Sequence, residues 1–115
     1  MANRSQRLRL LDIQTQMDAI EQAMVGRTDA DLKADWLLGS AVERGFEIIS
    51  EASRHLDPAL LALHPDVPWR RVADIGNWLR HAYERVEPSL LTAIVRDQFP
   101  TLRRAVTAML ATLPE

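Results

Sequence analysis

Apolar residues recur at steps of three and four along most of the chain, which is the period of an amphipathic α-helix. The first stripe predicts a helix over about residues 5–25, and Gly26 ends it. The apolar positions of this helix are Leu10, Ile13, Met17, Ile20 and Met24. Thr28 and Asp31 then have the spacing of a capping box, which predicts a short second helix running towards Trp36.

A third helix is predicted from about Leu38 to Leu56. Its expected inward positions are Ala41, Gly45, Ile48 or Ile49, Ala52 and Leu56. Its polar side carries Glu43, Glu47 and Glu51, three like charges at four-residue spacing. Such a row is mildly destabilising unless it has partners. It is therefore either a solvated face or a surface that meets arginines of another helix or another subunit.

Prolines mark the boundaries that follow. Asp57 and Pro58 have the pattern of an N-cap and a first helical residue, which predicts a fourth, short helix. Residues 64–68 contain two prolines and an aspartate and are typical of a turn. The next helix is predicted over about residues 69–85.

The C-terminal part of the chain predicts one more helical segment. Glu87 and Pro88 open it, and Pro100 should kink or break it near Phe99 because proline cannot donate a backbone hydrogen bond. No stretch alternates between apolar and polar residues for long enough to predict a strand. We therefore expect an all-α fold, a bundle of four to five helices in a single domain over residues 1–115.

Composition narrows the function classes. Fourteen Lys and Arg residues against sixteen Asp and Glu residues give a net charge of −2, which is unusual for a general nucleic-acid binder but compatible with a local basic patch. The chain has no cysteine, so disulfides and thiolate chemistry are excluded. It has neither a signal-peptide pattern nor a membrane-span pattern, so we expect a cytoplasmic protein that does not bind membranes.

The helix predicted over residues 69–85 carries the candidate chemistry. One polar stripe contains Arg70, Asp74, Asn77 and His81, and the adjacent stripe contains Gly76, Arg80 and Tyr83. We therefore expect Asn77, Arg80, His81 and Tyr83 to share one surface patch. Gly76 is expected to leave open space beside Arg80.

Histidine exchanges protons near neutral pH, and arginine binds phosphate and stabilises the charge that develops on it. These groups suffice for metal-independent RNA cleavage, in which a 2′-hydroxyl attacks the neighbouring phosphate. They also suffice for simple anion binding. A third interpretation is an ordinary surface helix with Asp74–His81 and Arg80–Glu84 ion pairs.

Three segments together resemble one known family. Residues 41–52 (AVERGFEIISEA) are similar to its AVER-x-x-E-I-I-G-E-A segment, and residues 64–70 (HPDVPWR) to its P-x-[IV]-P-W-R turn. Residues 76–83 (GNWLRHAY) are similar to its R-N-x-L-x-H-x-Y signature. The chain thus resembles the HepT-like proteins of the HEPN family over about residues 8–110.

The resemblance implies a HEPN bundle that forms a homodimer, with no cofactor and no metal. It implies a ribonuclease toxin of a type VII-like toxin–antitoxin pair, with RNA rather than DNA as its substrate. His81 would be the catalytic acid and base, with Arg80 and Asn77 beside it. The implied partner is a minimal nucleotidyltransferase antitoxin, which silences such toxins by adenylylation of the signature tyrosine, here Tyr83.

The chain departs from the family pattern at two positions. Gly76 stands where the family has the arginine of its signature, and Ser50 replaces a family glycine. Arg80, or an arginine of a second subunit, would have to replace the missing charge. The alternative function is a non-catalytic HEPN module that binds a nucleotidyltransferase or a nucleotide through the same patch. A helical dimerisation domain without a ligand is the third hypothesis.

Overall fold

The computed structural model describes residues 2–81 and 87–113 of the chain. All of the regular structure in this part is helical, which confirms the predicted all-α class. The described helices are α1 (Ala2–Met24), α2 (Asp29–Ala34), α3 (Trp36–Arg54), α4 (Pro58–Ala62), α5 (Trp69–His81), α6 (Pro88–Asp97) and α7 (Phe99–Thr112). The helix predicted over residues 69–85 is α5, and its last four predicted residues, including Tyr83, lie outside the described residues.

Helix α3 lies at the centre of the bundle, with α1 packed on one side and α5 on the other, while α7 packs against α1. One cluster of buried apolar side chains joins these helices. The α1 stripe predicted from the sequence belongs to it: its first four positions are almost fully buried, and Met24 packs against the cluster. Each Å² of apolar surface removed from water contributes about 25 cal/mol to the stability of the fold. This cluster is therefore the main stabilising feature.

The inward face of α3 differs in part from the sequence prediction. Gly45, Ile49 and Ala52 are buried as expected, but Ala41 is exposed and the neighbouring Val42 is buried instead. Phe46 also points inward, and its ring contacts that of Phe99 at a centroid distance of 5.6 Å. Val42 and Phe46 therefore replace Ala41 among the predicted inward positions of this helix.

The helix boundaries follow local capping chemistry. The capping box is confirmed: the Thr28 side chain accepts a hydrogen bond from the Asp31 amide, and the Asp31 carboxylate accepts one from the Thr28 amide. Asp35 ends α2, and its carboxylate caps α3 by accepting from the Leu38 amide at 3.0 Å. This second cap explains why α3 begins at Trp36, two residues before the predicted start.

The prolines act as predicted. Asp57 caps α4 through the Ala59 amide, and Pro58 is the first residue of that helix. The C-terminal segment breaks next to Pro100, so that two helices, α6 and α7, replace the single predicted one. In the part of the chain that the structure describes, no helix is long and apolar enough to cross a membrane.

Gln6 joins the start of α1 to the turn between α3 and α4. Its side-chain amide donates to the His55 carbonyl at 2.9 Å and accepts from the Asp57 amide at 2.5 Å. We expect Gln6→Ala to lower the free energy of unfolding by about 1–2 kcal/mol, because two hydrogen bonds to the backbone are lost together. Chemical denaturation followed by circular dichroism measures this change, and Gln22→Ala, at an exposed site of the same helix, should have almost no effect. Equal effects of the two substitutions would contradict the account.

Candidate functional site

Helix α5 presents Asn77 and His81 to solvent. The two residues are four apart, so they lie on one face of the helix, one turn from each other. Both are exposed, and so is Asp74 one turn earlier. In residues 2–81 and 87–113, no ion pair joins Asp74 to His81 within 4 Å. The face is therefore available for a ligand.

Arg80 lies on the neighbouring side of α5 and borders a polar cavity of about 170 Å³ between α1, α3 and α5. The cavity is lined by Arg9, Asp12, Arg44, Glu47, Ile48, Ser50, Glu51, Ala52, Arg54, Gly76 and Arg80. Asn77 and His81 are not among these residues. The structure thus places Arg80 between the exposed face of α5 and the polar cavity, with His81 as its neighbour in the chain.

The polar cavity contains four guanidinium groups and three carboxylates, an excess of one positive charge in a chain whose net charge is −2. Two of these arginines are paired within α3: Arg44 with Glu47 at 3.4 Å and Arg54 with Glu51 at 3.3 Å. The row of glutamates predicted on this helix is therefore partly neutralised by arginines of the same helix. Exposed pairs of this kind contribute little stability, but they orient the arginines.

Glu51 interacts with three basic residues, His55, Arg54 and Arg80. A hydrogen bond from His55, at 3.1 Å between Nε2 and Oε1, is the largest cause that lowers the pKa of Glu51 below its ordinary value. Desolvation raises this pKa and is the second largest cause, but the positive charges of His55, Arg54 and Arg80 lower the pKa further. Glu51 therefore remains ionised at neutral pH and interacts electrostatically with Arg80 across the cavity.

Gly76 is in tight contact with α3. An ideal Cβ atom at this position would lie 2.5 Å from the Ser50 hydroxyl and 2.7 Å from the Ser50 Cβ. Gly76 is buried, and its amide donates to the Ser50 hydroxyl at 3.0 Å. The expectation of open space beside Arg80 at Gly76 is therefore wrong, because Ser50 occupies the space into which a side chain would extend. The backbone of Gly76 does border the polar cavity. The two departures from the family pattern, Ser50 and Gly76, contact each other.

The Ala73 carbonyl is the second point at which α3 holds α5. It accepts a hydrogen bond from the Ser50 hydroxyl at 2.6 Å and two from the Arg54 guanidinium, at 3.1 Å from Nε and 2.7 Å from Nη2. Charge-assisted bonds of this kind are stronger than neutral ones. Ser50 and Arg54 together fix the position and rotation of the helix that carries His81.

An apolar groove of about 490 Å³ lies on the opposite side of α5, between α3, α5, α6 and α7. It is lined mainly by apolar side chains, and its charged lining residues are Arg71, Asp74 and Asp97. Trp78 and Leu90 line it and remain 48% and 40% exposed. The groove is separate from the polar cavity, so α5 contributes to two surfaces of different chemistry.

The remaining titratable residues add no metal site. Among residues 2–81 and 87–113, no group of three His, Asp or Glu side chains is placed to hold a metal ion. The His55 side chain forms a hydrogen bond with the Glu51 carboxylate, and the carbonyl of His64 accepts a hydrogen bond from the Trp69 indole.

Sequence reasoning did not single out Arg9 or Arg54 as site residues. Arg54 was visible only as one of several charges on the polar faces of α3, and Arg9 only as part of a basic N-terminal segment. Their proximity to Arg80 depends on how α1, α3 and α5 pack.

The chain matches the family model described as "Ribonuclease HepT-like" over residues 13–109. It is 34% identical, over 87% of this chain and 91% of the relative, to the protein named "Probable ribonuclease HepT" from Thermococcus cleftensis. It is 30% identical, over 70% of this chain and 71% of the relative, to a protein from Caldanaerobacter subterraneus subsp. tengcongensis whose name describes it provisionally as an RNase. No solved structure matches significantly. The extent of the family match and the similarity to the Thermococcus protein show that this chain belongs to the HepT-like family.

Proposed function

We propose that this protein is a ribonuclease toxin that cleaves RNA without a metal ion, with His81 as the catalytic acid and base. The observation that carries the proposal is the exposure of His81 and Asn77 on α5, beside a cavity with an excess of positive charge. The names of two relatives, which refer to RNase activity, support the same substrate class. Arg80 directly precedes His81 in the sequence and would stabilise the phosphate in the transition state.

The proposal includes a homodimer. The apolar groove beside α5 supports it, because Trp78 and Leu90 expose apolar surface there that a second copy would cover. A chain of 115 residues also has a small core and gains stability from association. The cytoplasm, where RNA is available, is the proposed location.

We further propose that the protein pairs with a minimal nucleotidyltransferase antitoxin that adenylylates Tyr83. Expression of this chain alone in a bacterial host should then arrest growth, and co-expression with a nucleotidyltransferase from the neighbouring reading frame should relieve the arrest. Protein purified after co-expression should gain the mass of one or more AMP groups, and peptide mapping should place them on Tyr83. Unimpeded growth without the antitoxin, together with an unmodified Tyr83 in its presence, would contradict the pair.

A second candidate function is a non-catalytic module that binds a nucleotidyltransferase or a nucleotide. The contact between Ser50 and Gly76 favours it, because this contact leaves no room for an arginine side chain at position 76. This function predicts a stable complex with the nucleotidyltransferase, and growth that does not respond to His81→Ala.

A further inference from the structure

Two of the arginines that line the polar cavity form no ion pair within 4 Å with the three carboxylates that line it. Arg44 and Arg54 are paired with Glu47 and Glu51, as described above. Arg9 of α1 and Arg80 of α5 have no hydrogen bond and no ion pair within 4 Å among the residues that the structure describes. Both line the cavity, so their positive charges are available to an anion that enters it.

We propose that the polar cavity binds a backbone phosphate of the RNA substrate, with Arg9 and Arg80 as the two phosphate-contacting side chains. This proposal rests on the proposed ribonuclease function and adds to it a residue of α1. The positive charge would then come from two helices, α1 and α5. The Ser50–Gly76 contact leaves no room for an arginine side chain at position 76. Arginine suits the role because its planar guanidinium donates two parallel hydrogen bonds to phosphate oxygens.

The location connects the cavity to the catalytic residue. Arg80 precedes His81 in α5, so a strand whose phosphate rests against Arg80 passes close to the exposed face that carries His81. Glu47 and Glu51 form ion pairs with Arg44 and Arg54, which leaves Arg9 and Arg80 as the arginines of the cavity that can turn to a phosphate. Asp12 is the one lining carboxylate without a partner among the described residues, and it opposes phosphate binding.

Binding of a fluorescently labelled, single-stranded 2′-O-methyl RNA to the full chain tests the proposal, because this probe cannot be cleaved through a 2′-hydroxyl. Fluorescence anisotropy over a salt series gives the affinity and its salt dependence. Arg9→Ala/Arg80→Ala should lower the affinity by about tenfold. The slope of log affinity against log salt should fall by about 0.7, the value for one phosphate contact on a single strand.

Two further variants separate this effect from loss of structure. Asp12→Asn should raise the affinity by about two- to fivefold, a gain that a damaged fold does not produce. Arg4→Ala/Arg104→Ala removes two exposed arginines that do not line the cavity, and it should change the affinity much less.

The outcomes distinguish the two proposals. If the unaltered protein does not bind the probe, the ribonuclease function and the phosphate site both fail. If it binds, but the Arg9/Arg80 and Arg4/Arg104 double variants weaken binding equally, only the phosphate site is overturned. Calorimetric binding of AMP that depends on Arg9 and Arg80, combined with RNA binding that does not, would assign the cavity to a free nucleotide and contradict the RNA site.

Discussion

Gly76→Ala is expected to lower the free energy of unfolding by about 2–4 kcal/mol, although alanine is intrinsically the better helix former by about 1 kcal/mol. The new methyl group would collide with the Cβ and the hydroxyl of Ser50, both of which lie within 3 Å of its ideal position. Ser50 is fully buried, so it cannot turn into solvent. The collision would also break the hydrogen bond from the Gly76 amide to the Ser50 hydroxyl.

Ser50→Gly should rescue this defect. It removes both atoms that the methyl group would strike, so the double variant should be more stable than the sum of the two single effects by about 1–3 kcal/mol. Denaturant unfolding of the wild type, both single variants and the double variant measures this coupling. Ser50→Gly with Gly45→Ala is the control pair, since Gly45 faces Ile20 and Gln16 rather than Ser50, and its effects should add. An additive result for Ser50 and Gly76 would contradict the contact.

The same contact determines whether position 76 has room for the arginine of the family signature. Gly76→Arg alone should destabilise the protein, whereas Gly76→Arg combined with Ser50→Gly should fold and restore the arginine of the family signature. The two departures from the family pattern therefore lie in one contact between α3 and α5.

The second large effect is expected from His81→Ala, which should lower the rate of RNA cleavage by about 10²–10⁴-fold, the usual contribution of a general acid or base. His81 is exposed, so the substitution should change the free energy of unfolding by less than about 0.5 kcal/mol. Initial rates on a labelled RNA, together with thermal unfolding curves, separate the two quantities. The growth arrest caused by expression should disappear with the activity.

His64→Ala is the matched control for this substitution, because it removes an imidazole from a turn that does not border the candidate site. It should leave cleavage almost unchanged. An equal loss of activity in the two variants, or full activity in His81→Ala, would contradict the catalytic role of His81.

Local chemistry explains which parts of the fold could be predicted from the sequence. The capping box at Thr28 and Asp31, the start of α4 at Pro58 and the break at Pro100 each depend on residues within one helical turn. The α1 stripe was also predictable, because its period follows from helix geometry alone. The inward face of α3 was predicted less well: this helix is covered on two sides, so its sequence has no single apolar stripe to indicate the buried positions.

The contacts around the site required the tertiary structure. Ser50 and Gly76 are 26 residues apart, and the Arg54 guanidinium reaches the Ala73 carbonyl across 19 residues. Neither contact has a sequence signature, since both partners of each pair lie on helices whose relative rotation is set by packing. The charged cavity beside Arg80 has the same origin, because residues of α1 and α3 form it together with α5. The signature residues could be identified from the sequence, but their environment could not.

Cleavage of RNA by the purified chain in the presence of a metal chelator tests the proposed metal-independent catalysis. We expect the wild-type protein to cleave a single-stranded RNA at an undiminished rate with the chelator present. We also expect that 2′-O-methyl RNA of the same sequence is not cleaved, because the attacking hydroxyl is blocked, and that His81→Ala is inactive. Failure of the unmodified protein to cleave RNA, or cleavage of the 2′-O-methyl strand, would contradict it.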